Sequence, residues 1–374
     1  MTILFITNNL PPLVDGVGDY TYNIARQFAV NGHRVYIACR FNPAINTHVE
    51  GITILPMVKA WNWSCHKPIC KLIREKGIEV VSLQYVPHGF HPKGLPFPLI
   101  RLMHKIKKCN VKTFIFCHEL FVLPVPFNVH RCILSSLMRY ITRKIIFSCD
   151  CVATSNDFYK SLIYRYTGLT KPVAVIPIAS NIPIQDYSIT SLKLFRKTIA
   201  RENEIILSFL GNRNLQTSLN VINKLLKKGF PVVPLFIGKT SSCYDNIPPN
   251  AVKTGVLDVC SLSKYIQVSD LLLMPEDNEF GCSFKSGVLA AGLTVGVPVV
   301  TSRGKMTPTM LKNKVNICFT DFTKEAILEN DIAMLIKDRE LRLQIAKNAK
   351  RIGQRNDWKS VYNEYMDIIL KDNG

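Results

Sequence analysis

Met1-Thr-Ile-Leu-Phe-Ile-Thr7, then Gly16-Val-Gly18-Asp-Tyr20-Thr-Tyr-Asn-Ile-Ala-Arg-Gln-Phe-Ala-Val-Asn31-Gly-His-Arg-Val35-Tyr-Ile-Ala-Cys39, is the stretch that decides the fold. Ile3–Thr7 and Val35–Cys39 are short apolar runs rich in β-branched side chains. Between them, Tyr20–Asn31 places apolar residues at helical spacing and closes at Gly32. Strand, helix, strand is the unit from which a parallel sheet is built.

The same alternation continues outward. Thr53–Leu55, Glu79–Gln84, Thr113–Cys117, Cys151–Thr154 and Val173–Pro177 are apolar runs bounded by turns or helical stretches. Near-continuous apolar strands separated by helices indicate a sheet covered on both faces. A polar, irregular stretch from Ala179 to Asn203 follows, with a junction expected near Ile182–Ser188. The pattern then restarts: strands at Ile205–Leu210, Val232–Ile237, Leu271–Met274 and Val297–Thr301, helices at Thr217–Lys228 and Ser283–Val295. Everything after Lys324 has helical periodicity, and Trp358, Val361, Tyr362, Tyr365 and Ile368 form one stripe on the last helix. The expected fold class is α/β, as two successive doubly wound domains.

Bulk properties narrow the function. With 374 residues, 47% hydrophobic and 20% charged, the chain has enough apolar material for two cores. Its richest apolar stretch, Ser286–Val300, is broken by Gly292, Gly296 and Pro298, so no membrane span is expected. The N-terminus lacks a basic region and a cleavage site, and reads as a first strand, which predicts a cytoplasmic protein. The twelve cysteines are scattered without zinc spacing and are expected to be reduced core thiols, with no metal site. The net charge is +20, about +13 of it before residue 183, gathered in Lys105, Lys107, Lys108, Lys112 and in Arg131, Arg139, Arg143, Lys144. Such a face suits nucleic acid, an anionic membrane or an anionic substrate. No nucleic-acid reading motif accompanies it.

In open parallel sheets, ligands bind outside the carboxyl ends of the strands. The loop after the first strand ends in Gly16-Val-Gly18-Asp19, where small residues at a helix start would let backbone N–H groups approach an anion. A dinucleotide fingerprint is incomplete, with Thr21 at the third glycine position, although Arg40 after the second strand leaves an NADP reading open.

The segment Gly16–Val35 resembles the N-terminal signature of retaining GT-B glycosyltransferases of the group 1, family 4 type, and the resemblance extends more loosely over nearly the whole chain. It implies two Rossmann-like domains facing across a cleft: residues 1–182 on the acceptor side, 183–354 on the nucleotide-sugar side, and 355–374 as a helix crossing back to the first domain. It further implies a metal-independent, retaining transfer from a UDP- or GDP-linked donor, with no cofactor. By the same resemblance Gly16, Gly18 and Asp19 meet the donor diphosphate. His118, ending the strand Thr113–Cys117, holds the donor sugar, with Glu119 beside it orienting the imidazole or an acceptor hydroxyl. Gly211 and Arg213 resemble the Gly-Arg that opens the second domain, where preplaced cations stabilise the departing diphosphate. The family's companion lysine is Ser218 here, and Lys239 or Lys285 would compensate. The block Gly255–Ser302 resembles the donor-binding segment, but the two glutamates usual there align with Ser283 and Ala291. Glu279 in the preceding loop, together with Ser283, Phe284 and Lys285, is left to hold the donor.

The loop Tyr85–Pro98 is rich in Pro, His and aromatic residues, and its His88 and His91 suit a sugar acceptor. With Phe121–Phe127 and the nearby lysines it points to a glycan or lipid-linked acceptor and to peripheral contact with the inner face of an anionic membrane. Two other readings stay open, a catalytically weak scaffold that binds a partner glycosyltransferase or a glycan, and a sugar-nucleotide epimerase; with no reading motif to go with the basic charge, no nucleic-acid partner is expected.

Overall fold

The computed structural model describes residues 1–13, 15–211, 213–238 and 244–371. The chain divides into two compact units, Met1–Pro177 with Trp358–Gly374, and Ile178–Asp357.

The first unit runs β1 (Thr2–Ile6), α1 (Gly16–Val30), β2 (Arg34–Arg40), β3 (His48–Val49), β4 (Ile52–Val58), α2 (His66–Lys76), β5 (Val80–Tyr85), α3 (Pro87–Phe90), α4 (Phe97–Lys107), β6 (Lys112–Cys117), α5 (Val129–Phe147), β7 (Cys151–Thr154), α6 (Asp157–Thr167) and β8 (Val173–Val175). Its eight strands lie in the order β3-β4-β2-β1-β5-β6-β7-β8, parallel throughout except for the β3 edge. The chain leaves β1 in one direction and returns on the other side of it, so β1 and β5 flank a topological switch point. The helices that lead into β5, β6, β7 and β8, namely α2, α4, α5 and α6, pack side by side in one layer. Helix α1 lies on the opposite face, because a parallel crossover is right-handed and the winding direction has reversed. Burial of β5 and β6 along nearly their whole length follows from this double cover.

The second unit runs α7 (Ile189–Lys197), β9 (Ile205–Leu210), α8 (Gln216–Lys227), β10 (Val232–Ile237), β11 (Val252–Lys253), α9 (Val259–Gln267), β12 (Leu271–Met274), α10 (Gly287–Val295), β13 (Val299–Thr301), β14 (Cys318–Phe319), α11 (Glu325–Lys337) and α12 (Arg339–Arg355). Its sheet is parallel, in the order β11-β10-β9-β12-β13-β14, with the switch point between β9 and β12. The final helix, α13 (Trp358–Leu370), returns to the first unit and packs on α1. It buries Val361, Tyr365 and Ile369, so the inward face turns through Ile369 where the sequence stripe ran to Ile368.

Most element ends shift by a residue or a few from the sequence reading, and three starts shift for an identifiable local reason. Helix α1 begins at Gly16 instead of Tyr20, because the Asp15 carboxylate caps the amides of Val17 and Gly18 and makes the two glycines helical. Helix α10 begins at Gly287 instead of Ser283, with Ser286 as its cap. Strand β13 begins at Val299 because Gly296, left-handed at φ +84°, and Val297 both still donate to the Gly292 carbonyl.

The eleven cysteines among the described residues are free thiols, and most are buried. Burial pushes the thiols of Cys39, Cys149, Cys282 and Cys318 up to about 12. Among the described residues, no helix is long and apolar enough to cross a membrane.

Candidate functional site

At the switch point of the first sheet, the loop after β1 is organised by its own side chains. The Trp61 indole donates to Asn8 Oδ1 at 2.8 Å, and Asn9 Nδ2 donates to Asp15 Oδ2 at 2.8 Å. Asp15 Oδ1 accepts from Val17 at 2.9 Å and Gly18 at 3.2 Å. The helix start that the sequence offered to a diphosphate is therefore occupied by the protein's own anion. Gly18 has a packing reason of its own: a Cβ there would lie 2.7 Å from the Asn9 carbonyl oxygen. Gly16 is exposed, with open space around its Cα.

Asp19 follows one turn later, half-buried. Burial first, and the Asp15 charge second, raise its carboxyl above the ordinary aspartate value. A raised acid pKa means that the folded state binds the proton more tightly than the unfolded chain, so this residue costs stability once it ionises. Asp19→Asn is expected to raise the melting temperature at pH 7, the gain disappearing as the pH falls below the normal aspartate range. Melts at pH 7 and at about pH 3.5 check this, and a gain that persists at the lower pH would refute the cause given.

His118 stands at the carboxyl end of β6, but it is 3% exposed. Its Nε2 lies 2.9 Å from Gln84 Oε1. Because the Gln84 amide nitrogen donates to Ser82 Oγ and to the Tyr365 hydroxyl, the Gln84 oxygen must accept. His118 therefore carries its proton on Nε2, which leaves Nδ1 as the acceptor in the neutral ring. The rings of Tyr20 and Phe116 fix its plane, with centroids at 4.8 and 4.5 Å. Glu119, half-buried, follows it directly.

Of the two loop histidines, His88 is exposed just beyond β5 and its ring lies over Gly94, where a Cβ would come within 3.0 Å of it. His91 serves the loop itself, since its Nδ1 accepts from the amides of Lys93 and Leu95 and pins the turn.

The second unit places a cation across its own switch point. Gly211, left-handed at φ +84°, turns the chain out of β9 into the loop that carries Arg213. The Arg213 guanidinium reaches the loop after β12, where it pairs with the Glu276 carboxylate and donates to the Pro275 carbonyl at 3.3 Å. Its other terminal nitrogen donates to Ser286 Oγ, the cap of α10, at 3.3 Å. Both members of the pair are largely buried, with side chains 19% and 16% exposed. Tyr244 secures the Arg213 loop from below, its hydroxyl donating to the Arg213 carbonyl at 3.1 Å and accepting from the Leu215 amide at 3.0 Å.

The loop from Pro275 to Ser286 is braced against residues 302–307. Cys282 donates to Ser302, Lys305 to Glu279 and Met306 to Phe280, all backbone to backbone at 2.9–3.0 Å. Gly281 and Gly304 meet with their backbones in contact, and a Cβ on Gly304 would lie 2.3 Å from Phe280. Glu279 is exposed and pairs with Lys305. Ser283 is buried and its hydroxyl accepts from the Lys285 amide, while Phe284 sits in the core of the unit, 5% exposed. The Phe284 side chain is thus part of the packing of the unit. Lys285, half-buried, immediately precedes the Ser286 cap that Arg213 holds. Lys239 lies outside the described residues. Among the described residues, no three His, Cys, Asp or Glu side chains gather as a metal site.

Glu276, Ser286, Tyr244, Gln84 and Asp15 hold the candidate residues in place and were absent from the site derived from sequence. Asp15 and Ser286 had a local signal, as capping residue types directly before a helix start. The others are brought in from distant segments.

Residues 14–179 match the model of Glycosyltransferase Family 4. No match is found among curated proteins. Solved structures with the same fold include HepE of Anabaena in complex with UDP, 14% identical over 98% of this chain and 99% of that one, with a TM-score of 0.74. Sucrose-phosphate synthase from Thermosynechococcus elongatus is 13% identical over 98% of both chains, with a TM-score of 0.73. WaaG, a glycosyltransferase involved in lipopolysaccharide biosynthesis, is 14% identical over the full length of both, with a TM-score of 0.68. The architecture is that of GT-B glycosyltransferases, and the family match over residues 14–179 supports glycosyltransferase activity.

Proposed function

We propose that this glycosyltransferase moves a hexose-type sugar from a nucleoside-diphosphate donor, UDP-linked by preference, to a hydroxyl of a glycan or lipid-linked acceptor, with retention of configuration and without a metal. The observation that carries the reading is the Arg213 guanidinium bridging the loops after β9 and β12, at the point of the second sheet where ligands of such sheets bind. Uridine as the nucleoside of the donor is supported by the UDP held by HepE, and a glycan or lipid-linked acceptor by the role of WaaG in lipopolysaccharide biosynthesis.

In this reading the bond between the sugar C1 and the β-phosphate oxygen breaks, and its electron pair stays on the phosphate. The acceptor oxygen forms the new bond to C1, and its proton passes to the departing phosphate. Arg213 and Lys285 stabilise the charge that builds on that oxygen, a fixed-dipole role that is worth most where water is excluded. No divalent ion is needed for it. The acidic start of α1, with Asp15 and Asp19, is unsuited to a diphosphate and suited to sugar hydroxyls, which can donate to carboxylates. His118, tightly held, gives that region a fixed wall.

A scaffold reading draws on one observation: Glu276 already neutralises Arg213. The two readings are separated by ligand-induced stabilisation against UDP, GDP, ADP, TDP and CMP. At about 100 times its dissociation constant a ligand of the native state adds about 2.7 kcal/mol. A rise in melting temperature with UDP, absent in Arg213→Ala, is expected, followed by turnover with a UDP-sugar. The absence of any shift with all five nucleotides would defeat the proposal and favour the scaffold.

A further inference from the structure

Helix α5 is apolar on two sides. Its inner face buries Met138, Ile141, Ile145 and Ile146 against the unit. Its outer face carries Val129, Ile133, Leu137, Tyr140 and Phe147 at helical spacing, with Val129 68%, Ile133 56% and Tyr140 51% exposed. Phe127, fully exposed in the turn before the helix, extends the same stripe. A helix that is apolar all round is normally covered on both sides, and a stripe of this size left in water marks a contact surface.

The charges around the stripe identify what covers it. Arg139 and Arg143 flank it and Lys144 lies within it, with Lys144 over the Tyr140 ring and Arg143 over the Phe147 ring. From Leu120 to Cys149 the sequence contains no Asp or Glu. Among the described residues, Arg131, Arg139, Arg143 and Lys144 have no carboxylate partner. The excess extends across the helix layer: α2, α4, α5 and α6 hold thirteen Lys and Arg against two acidic residues. The opposite face, α1 and α13, holds two against three. Between α2 and α4 lies a groove of about 470 Å³ lined by Lys67, Lys71, Arg74, Lys105 and Lys108.

We propose that this helix layer docks on an anionic lipid surface, with the outer face of α5 and Phe127 entering the headgroup boundary and the α2–α4 groove taking phosphate headgroups. An interfacial helix combines an apolar face with flanking basic residues in this way. Each Lys or Arg near an anionic leaflet adds to the attraction, which fades within a Debye length. Duplex nucleic acid would use the cations but leave the apolar stripe in water. The core of a protein interface is depleted of unpaired charge, which disfavours a protein partner on a face this basic. The surface needs no sugar nucleotide, so it stands or falls independently of the transfer reaction.

Flotation of the full chain with vesicles of phosphatidylcholine alone, and with about one third phosphatidylglycerol, tests the proposal. Binding is expected only to the anionic vesicles, weakening steeply as salt is raised. Ile133→Ser with Leu137→Ser should weaken it about tenfold or more, and Arg139→Gln with Arg143→Gln and Lys144→Gln about a hundredfold. Ile189→Ser with Leu194→Ser, exposed positions of α7, should leave it unchanged. All substituted groups are exposed except the half-buried Arg139, and unchanged melting curves will verify folding. Failure to bind anionic vesicles, equal binding to phosphatidylcholine, or full binding by the Ile133→Ser, Leu137→Ser variant each overturns the proposal. So does sedimentation showing a dimer that the same pair dissociates, which would make a second copy the occupant.

Discussion

Replacement of Arg213 by alanine is expected to lower kcat for transfer from a UDP-sugar by about 10² to 10³-fold, the range seen when one preplaced donor to a developing oxyanion is removed. The change has a second consequence, because Glu276 would be left largely buried without its cation. Stability should fall as well, by less than the several kcal/mol typical of a fully buried broken pair, since both side chains keep some solvent contact. The two effects separate in the Arg213→Ala, Glu276→Ala double variant, which should regain most of the lost stability and none of the lost rate. Steady-state kinetics and thermal melts on the three proteins decide it. If the double variant turned over like the wild type, Arg213 would be a brace for two loops and nothing more.

The second large effect is structural. Tyr365 of α13 is fully buried and stacks on Phe114 at 4.5 Å, with Phe116 and Phe28 around it. Its hydroxyl lies 3.4 Å from Gln84 Nε2 and 3.5 Å from the Tyr20 hydroxyl, in the same cluster that holds His118. Tyr365→Ala should cost the first unit about 3 to 5 kcal/mol, the usual result of deleting a buried aromatic ring. Tyr365→Phe should cost about 1 kcal/mol, the value of the hydroxyl contacts. All three tryptophans, Trp61, Trp63 and Trp358, belong to this unit, so their fluorescence in a urea titration follows it without interference from the other. A loss below about 1 kcal/mol for Tyr365→Ala would mean that α13 is an appendage rather than part of the core.

Most strands were legible because a strand covered on both faces needs apolar residues along its whole length, and such runs survive in the sequence without reference to any partner. Ile205–Leu210, Val232–Ile237 and Leu271–Met274 have the same bounds in the structure as in the periodicity. The helix starts were less legible. Tyr20 and Ser283 marked where apolar spacing becomes regular, whereas Asp15 and Ser286 mark where side-chain oxygens satisfy free amides. Capping depends on one rotamer, and composition does not report it.

The site divides along the same line. That loops at the carboxyl ends of the strands would matter follows from the alternation of apolar strands and helices, and His118, Arg213 and the 275–286 loop could be picked out on those loops through the resemblance. What those residues are bonded to could not. The partner of Arg213 lies 63 residues away, that of His118 lies 34, and Tyr20 and Tyr365 meet across 345. The exposure of the α5 stripe was hidden for the same reason, because an apolar side chain reads identically whether it faces a core or water. Chain-local chemistry, the alternation of strands and helices and the positions of basic residues, is written in the order of residues. Pairing, burial and the capping of amides depend on which segments the fold brings into contact, and only the folded chain supplies those neighbours.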